Sequence, residues 1–207
     1  MEDSLPKLGG VTVILGRRGA GKTRLAHAIL CRESPDRLVV IDTIAEHQSL
    51  APRCPKWRAI LRMNPPGTTN PLRLGILPQN EQEFELACGA IWARENLVCL
   101  IDELDWWVPT PAHACPDALR SIVRYGRHYG QRLIAIARRP AAMPREITSQ
   151  ADLWIFPAAE PRDVAYIRQW ADFDASALPD GQVAYCRAGQ SPLTFNFDVA
   201  ALEISPA

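Results

Sequence analysis

Eight consecutive residues near the N-terminus have the types and spacing of a phosphate-binding loop. Gly16-Arg-Arg-Gly-Ala-Gly-Lys-Thr23 fits the pattern G-x-x-x-x-G-K-[ST], with an apolar run before it and a helical pattern after it. Its glycines let backbone amides face phosphate oxygens, and the start of the next helix adds positive potential. We therefore predict that Lys22 reaches the β- and γ-phosphates of ATP and that Thr23 holds Mg²⁺. The predicted nucleotide-binding residues are Gly16, Arg17, Arg18, Gly19, Ala20, Gly21, Lys22, Thr23 and Arg24.

An acidic pair follows another apolar run, Leu97–Ile101. Asp102 and Glu103 stand at the carboxyl end of this run. An Asp in this position holds Mg²⁺ through its water shell, and the adjacent Glu polarises an attacking water. With the glycine loop, the pair supplies both halves of a phosphoryl-transfer site. We predict Asp102 as a metal residue and Glu103 as a catalytic base, which favours a hydrolase over a nucleotide kinase.

Buried strands that alternate with helices must position these motifs. Continuous apolar runs predict strands over Val11–Leu15, Leu38–Ile41, Leu97–Ile101, Leu133–Ala137 and Leu153–Phe156. Such runs suit a parallel sheet that is covered on both faces, with crossover helices between the strands. The predicted helices are Lys22–Arg32, Gln79–Arg94, Asp117–Tyr129 and Pro161–Trp170. The pattern predicts one α/β domain over residues 1–207.

Two segments depart from this alternation. Residues 51–78 hold six prolines and little periodicity, which indicates an irregular insertion. Residues 182–198 alternate apolar and polar side chains around Ala188-Gly-Gln-Ser191, which predicts a β-hairpin at the edge of the sheet.

Composition excludes several classes of protein. The net charge of zero over 207 residues excludes a strongly basic nucleic-acid coat. No apolar run is long enough for a membrane span, and the sequence MEDSLPKLGG lacks the features of a signal peptide, so we expect a cytosolic protein. The six cysteines lack CxxC spacing, which favours buried thiols over zinc ligands or disulfides.

Other residues allow more than one interpretation. Asp42 ends the second predicted strand and suits either a site or a strand cap, whereas His47 shows no metal-ligand spacing. The pair Trp106-Trp107 follows the acidic pair, where packing is favoured over stacking on nucleic-acid bases.

A third motif gives the chain a family resemblance. Arg124-Tyr-Gly-Arg127-His-Tyr-Gly leads into an apolar strand that ends in Arg138-Arg-Pro140. With the glycine loop and the Asp-Glu strand in this order, Val11–Phe156 resembles the FtsK/HerA family of ring-forming P-loop ATPases, which includes genome-packaging ATPases of viruses. The resemblance implies a RecA/ASCE-like P-loop NTPase fold and a homo-oligomer, a hexamer or pentamer.

The resemblance also implies roles for three arginines. Arg138 occupies the position of a catalytic polar sensor, where the family usually has Gln. Arg127, and after it Arg124, is a candidate for a catalytic finger that reaches the nucleotide of a neighbouring subunit and neutralises the transferring phosphoryl group. A solvated helix face, or contacts with nucleic-acid phosphates, is the alternative for Arg124 and Arg127.

The function implied by the resemblance is Mg²⁺-dependent ATP hydrolysis that moves double-stranded DNA. The expected setting is packaging of a phage or viral genome, with capsid vertex proteins as further partners, in the host cytoplasm or on the virion. The alternatives are a filamentous-phage assembly ATPase of the zonula occludens toxin type, which usually carries a membrane span, and a nucleotide or metabolite kinase. A non-hydrolysing nucleotide-binding module is disfavoured by Glu103.

Overall fold

Nine strands form one sheet in the part of the chain that this computed structural model describes, namely residues 6–63, 67–108, 115–158, 160–201 and 203–206. The strands are β1 (Val11–Leu15), β2 (Arg37–Ile41), β3 (Leu72–Ile76), β4 (Val98–Ile101), β5 (Arg132–Ala137), β6 (Asp152–Ile155), β7 (Gln182–Cys186), β8 (Leu193–Asp198) and β9 (Glu203–Pro206). Their order is β3-β2-β4-β5-β1-β6-β7-β8-β9. The strands from β3 to β6 in this order run parallel, and β7, β8 and β9 continue the sheet antiparallel.

Helices cover both faces of the sheet, as the continuous apolar runs predict. They are α1 (Lys22–Glu33), α2 (Trp57–Met63), α3 (Glu81–Trp92), α4 (Leu104–Trp107), α5 (Asp117–Tyr125), α6 (Arg145–Thr148) and α7 (Pro161–Ala171). Leu25 and Ile29 of α1 pack on the face that carries Ile14 of β1. The opposite face carries Val13 and Leu15 and packs against the remaining helices. Because every residue of β1 is buried, both faces of this central strand belong to the core.

The strand order brings the predicted motifs to one edge of the sheet. Strand β5 lies between β1 and β4, and all three run parallel. The glycine loop after β1 and the acidic pair after β4 therefore flank the carboxyl end of β5, where Arg138 follows. This edge, at the carboxyl ends of the strands, is where ligands bind in open α/β sheets.

Residues 51–78, predicted as an irregular insertion, contain both α2 and β3. Strand β3 is the outermost strand on its side of the sheet and pairs in parallel with β2, with Val39 opposite Leu74. The prediction of an irregular segment was therefore wrong over α2 and β3. The sequence pattern does not reveal β3 because the strand is short and Arg73 and Gly75 interrupt its apolar residues. The sheet's pairing, rather than local propensity, fixes this strand.

The remaining predictions agree with the fold at the level of elements. The predicted hairpin is β7 and β8, and β9 extends it, so these strands lengthen the sheet beyond β6. The helix predicted over Asp117–Tyr129 ends at Tyr125 and continues as a 3₁₀ turn over Gly126–Tyr129. Among the described residues, none of the helices is both long and apolar enough to cross a bilayer.

Candidate nucleotide-hydrolysis site

The glycine loop occupies residues 16–21, between the end of β1 and the start of α1. Gly21 has φ 102°, in the left-handed region that favours glycine. Lys22 follows it as the first residue of α1 and is 8% exposed, and its Nζ donates to the carbonyl of Arg17 at 3.0 Å. Burial lowers the pKa of Lys22, and the nearby Asp102 carboxylate opposes this shift. The loop thus carries its lysine inward, toward the acidic pair.

The loop also needs glycines because the strands behind it approach closely. A Cβ on Gly16 would lie 2.8 Å from Cβ of Phe156, and one on Gly21 would lie 3.1 Å from Cγ2 of Val199. Arg24 adds a hydrogen bond from Nη1 to the carbonyl of Val199 at 3.3 Å. Phe156, which follows β6, and Val199, which follows β8, therefore lie against the back of the phosphate-binding loop.

The acidic pair sits at the end of β4 in a fixed network. Asp102 is 3% exposed, and its Oδ1 accepts the backbone amide of Glu103 at 3.0 Å. The hydroxyl of Thr43 donates to the Asp102 carbonyl at 2.9 Å, and Trp107 Nε1 donates to that hydroxyl at 3.1 Å. Glu103 adopts φ 51°, an uncommon conformation for a non-glycine residue. This turn directs the chain from β4 into α4 immediately after the buried carboxylate.

The loop after β2, residues 42–47, contacts both residues that the sequence assigns to Mg²⁺. Asp42 accepts the backbone amides of Glu46 at 3.0 Å and His47 at 3.2 Å, which fixes the loop. The Thr23 hydroxyl donates to Glu46 Oε2 at 3.4 Å. On the other side, His47 Nε2 lies 3.3 Å from Asp102 Oδ2. In sequence, Asp42 suits either a site or a strand cap and His47 shows no metal-ligand spacing, yet the structure places both residues at this edge.

The residues at this edge fit a Mg²⁺ ion. The Oδ2 atom of Asp102 is buried and has no hydrogen-bond partner of normal geometry. Thr23 adds a hydroxyl in the first turn of α1. Oxygen atoms of this kind are the ligands that Mg²⁺ prefers, directly or through water.

Arg138, the predicted sensor, stands beside the acidic pair. Its Nε lies 3.7 Å from Glu103 Oε1 and 3.9 Å from Asp105 Oδ2. Its backbone amide donates to Asp105 Oδ1 at 3.3 Å. The side chain is partly exposed, so it is accessible from the edge where the phosphates would lie.

Arg124 and Arg127 lie away from the other predicted site residues. Arg127 belongs to the 3₁₀ turn before β5, and its Cβ is 3.5 Å from the position of a Cβ on Gly10, which precedes β1. The five residues of β1 lie between Gly10 and Gly16, the first residue of the glycine loop, a distance of about 20 Å. Arg124 Nη2 lies 3.5 Å from Glu146 Oε2, whereas Arg127 is exposed and has no ion pair with the residues that the structure describes. Neither arginine is placed to serve its own chain's glycine loop.

Trp106 and Trp107 differ in their surroundings, and only one of them packs in the core. Trp107 is buried and stacks on Phe84 with ring centroids 5.0 Å apart, so it packs the core beneath the acidic pair. Trp106 is 64% exposed on the other side of α4. Only Trp107 therefore has the packing role that the sequence favoured for both.

The thiols are mostly buried, as predicted. Cys88, Cys99, Cys115 and Cys186 are buried, Cys54 is partly exposed and Cys31 is exposed. All six are free thiols.

Comparison with known proteins adds solved structures at low sequence identity. No family model matches the chain, and no curated protein is similar to it in sequence. The genome packaging NTPase B204 from Sulfolobus turreted icosahedral virus 2, in complex with ATP-γS, matches with a TM-score of 0.70 at 18% identity, covering 94% of each chain. The chain has the fold of this ATP-binding protein.

Two further solved structures share this fold at low sequence identity. B204 from Sulfolobus Turreted Icosahedral Virus, a DNA-packaging ATPase, matches with a TM-score of 0.68 at 17% identity over 97% of this chain and 96% of that one. The pCW3 conjugation coupling protein TcpA, with ATPγS, gives 0.59 at 11% identity over 90% of this chain and 59% of its own. The resemblance that the motifs indicated is confirmed at the level of the fold.

Proposed function

We propose that the protein hydrolyses ATP to drive double-stranded DNA into a viral capsid. One observation carries the proposal: the glycine loop with Lys22, the acids Asp102 and Glu103, and Arg138 converge at one edge of the sheet, although they come from three different strand ends. The described fold is also that of packaging ATPases over almost the whole chain.

Each residue has a role that its position supports. The loop amides and Lys22 bind the phosphates of ATP, and Thr23 and Asp102 hold Mg²⁺. The bound ion supplies positive charge against the charge that develops on the phosphoryl oxygens. Glu103 accepts a proton from the attacking water, and Arg138, which lies beside Glu103, contacts the terminal phosphate. A glutamate directly after Asp102 is the reason that hydrolysis, rather than transfer to a second substrate, is the proposed reaction.

The proposal includes a ring of identical subunits, a hexamer or pentamer. Arg127 is exposed at the amino edge of the sheet and is free to reach a nucleotide bound by a neighbouring copy. Seven arginines and no acidic residues lie between Ala118 and Arg145. A ring needs only a basic stripe along its lumen to bind DNA phosphates, which reconciles DNA handling with a net charge of zero. Capsid vertex proteins would anchor the ring.

Phosphate release with and without duplex DNA tests this proposal. We expect the wild-type protein to release phosphate from ATP in Mg²⁺, to do so faster with duplex DNA, and to assemble to a multiple of its 23.0 kDa mass when both are present. Lys22→Ala serves as the inactive control. Phosphate release that ignores DNA, with no change of mass, would remove the translocase and leave the ATPase. Transfer of phosphate to an added nucleoside monophosphate or metabolite would favour a kinase instead.

A further inference from the structure

Two histidines connect α1 to the acid that ends β4. His27, in the second turn of α1, places its Nε2 3.0 Å from Nδ1 of His47. The other ring nitrogen of His47 lies 3.3 Å from Asp102 Oδ2. His47 is 0% exposed and Asp102 is 3% exposed, so water does not replace this contact. The line from His27 through His47 to Asp102 joins three elements that are distant in sequence.

When each ring carries one proton, a single arrangement gives both contacts of His47 a donor and an acceptor. Burial, and after it the neighbouring His47, lowers the pKa of His27 to about 4, so His27 is neutral near pH 7. If its proton is on Nε2, His27 donates to Nδ1 of His47, and His47 then carries its own proton on Nε2, facing the carboxylate. The opposite arrangement leaves a lone pair of His47 against Asp102, and two acceptors repel each other. The first arrangement is therefore favoured.

A metal ion is a poorer explanation of the cluster formed by Asp42, His47 and Asp102. Their ligand atoms lie within 4.8 Å of one another. However, both oxygens of Asp42 already accept backbone amides. The atoms that remain are His47 Nε2 and Asp102 Oδ2, which are buried and have no hydrogen bond of normal geometry. A structural metal site takes about four ligands, so these two atoms are too few to form one. His47 Nε2 therefore faces Asp102 Oδ2 as a partner rather than as a second metal ligand, and the carboxylate keeps further lone pairs for Mg²⁺.

We propose that His47, oriented by His27, is a positioning residue that holds the Asp102 carboxylate in the direction needed for Mg²⁺. This inference rests on the proposed ATP hydrolysis, since it assigns Asp102 the metal role. Asp42 contributes by fixing the loop that carries His47. His27 lies on the helix that begins at Lys22 and Thr23. The two histidines therefore fix the position of Asp102 relative to α1, the helix that begins with Lys22.

Substitutions at His47 separate positioning from packing. In His47→Leu the side chain keeps most of its volume and loses its donor, whereas in His47→Gln an amide N–H replaces Nε2. We expect His47→Leu to lower kcat about 10–100-fold with little change in KM, and to raise by a similar factor the Mg²⁺ concentration needed for tight binding of a non-hydrolysable ATP analogue. His47→Gln should recover most of both values. Gln48→Ala, an exposed neighbour in sequence, is the matched control and should behave as wild type.

His27 tests the second half of the line. His27→Leu should shift kcat in the same direction as His47→Leu, and combining the two should add little, because both break one connection. Circular dichroism and urea unfolding identify variants that fail to fold, in which case His47→Gln and His27→Gln carry the comparison.

Three outcomes of this experiment are informative. A folded His47→Leu protein with wild-type kcat and Mg²⁺ dependence overturns the inference. Equal losses in His47→Leu and His47→Gln also overturn it, because they indicate packing rather than donation. If wild type hydrolyses no ATP, the proposed function fails, and the Mg²⁺ dependence of analogue binding still decides whether His47 positions Asp102.

Discussion

Arg138 Nε lies 3.7 Å from Glu103 Oε1, so the proposed sensor and the proposed base contact each other directly. The contact follows from the sheet order, because β4 and β5 are neighbours and both residues follow the ends of these strands. A guanidinium here attracts the carboxylate that must accept a proton and, in the reaction, the phosphoryl oxygens as well. Before a nucleotide binds, the guanidinium faces the carboxylates of Glu103 and Asp105, and a bound nucleotide would then compete for it.

Replacing Arg138 should therefore lower turnover more than binding. We expect Arg138→Ala to reduce kcat about 10²-fold, the usual cost of removing one stabilising donor, with a smaller change in ATP affinity. Arg138→Gln, which restores the residue usual in the resembling family, should fall between Ala and wild type. Steady-state phosphate release with a nucleotide-binding titration measures both. If Arg138→Ala hydrolyses ATP at the wild-type rate, Arg138 has no sensor role.

Glu103→Gln should abolish hydrolysis while ATP remains bound. Loss of a general base costs about 10²–10⁴ in rate, and the amide keeps the shape of the side chain. Equilibrium binding of a fluorescent ATP analogue and single-turnover phosphate release test the two effects separately. Glu95→Gln, a change of the same type at an exposed position, is the control. Retention of more than half of the activity in Glu103→Gln would assign the base elsewhere.

Arg127 should act between subunits. Because Arg127 lies at the opposite edge of the sheet from its own glycine loop, Arg127→Ala and Lys22→Ala subunits are each expected to be inactive alone and active when mixed. In mixed rings a Lys22→Ala subunit lends its arginine to an Arg127→Ala subunit that can bind ATP. Arg124→Ala is the comparison, and we expect a smaller loss because Arg124 already pairs with Glu146 in its own chain. Mixtures that stay inactive at every ratio count against the finger.

Gly21→Ala should weaken nucleotide binding and destabilise the loop. The left-handed backbone costs an alanine about 1–2 kcal/mol, and the new Cβ would lie 3.1 Å from Val199. Gly89→Ala is a matched control in α3, where a Cβ meets no atom within 4 Å, and we expect it to stabilise the helix by about 0.5–1 kcal/mol. The free energy of unfolding in urea and the affinity for ATP, measured for both variants, distinguish Gly21→Ala from Gly89→Ala. Equal effects at both positions would contradict the geometry.

Thiol labelling should report the burial of the cysteines. Burial raises the pKa of Cys99 to about 12 and that of Cys186 to about 11, so their reactive thiolates form only at higher pH than usual. At pH 8 we expect maleimide to label the exposed Cys31 first and the buried thiols only after urea is added. Peptide mass spectrometry identifies the labelled residues. Rapid labelling of Cys99 in the folded protein would contradict its burial.

The motifs that are contiguous in sequence were predictable, because their chemistry depends on local spacing. The glycine loop needs a strand before it and a helix after it, and Asp102 and Glu103 need only the end of a buried strand. The contacts of Asp42 and His47 depend on the pairing of β2 with β4, which brings together residues about 60 positions apart. The spacing of Asp42 and His47 in the sequence does not indicate these contacts.

The fold shows the same division between local and distant causes. The strands with unbroken apolar residues were recognisable, whereas β3, with Arg73 and Gly75 in its middle, needed β2 beside it to become a strand. The early end of α5 at Tyr125 was equally hidden. The backbone amide of buried Gln131 donates to the Gly126 carbonyl at 2.9 Å and closes the turn that follows the helix. Tertiary partners, rather than helical periodicity, decide such ends.

The support of Gly21 by Val199 has a consequence for biosynthesis. Val199 is 175 positions after Arg24, the residue of α1 that it binds. The ribosome therefore synthesises the glycine loop long before it synthesises Val199, the residue that packs against the loop. A nascent chain that lacks β8 and Val199 should capture ATP poorly, so nucleotide binding would begin only after these residues are synthesised.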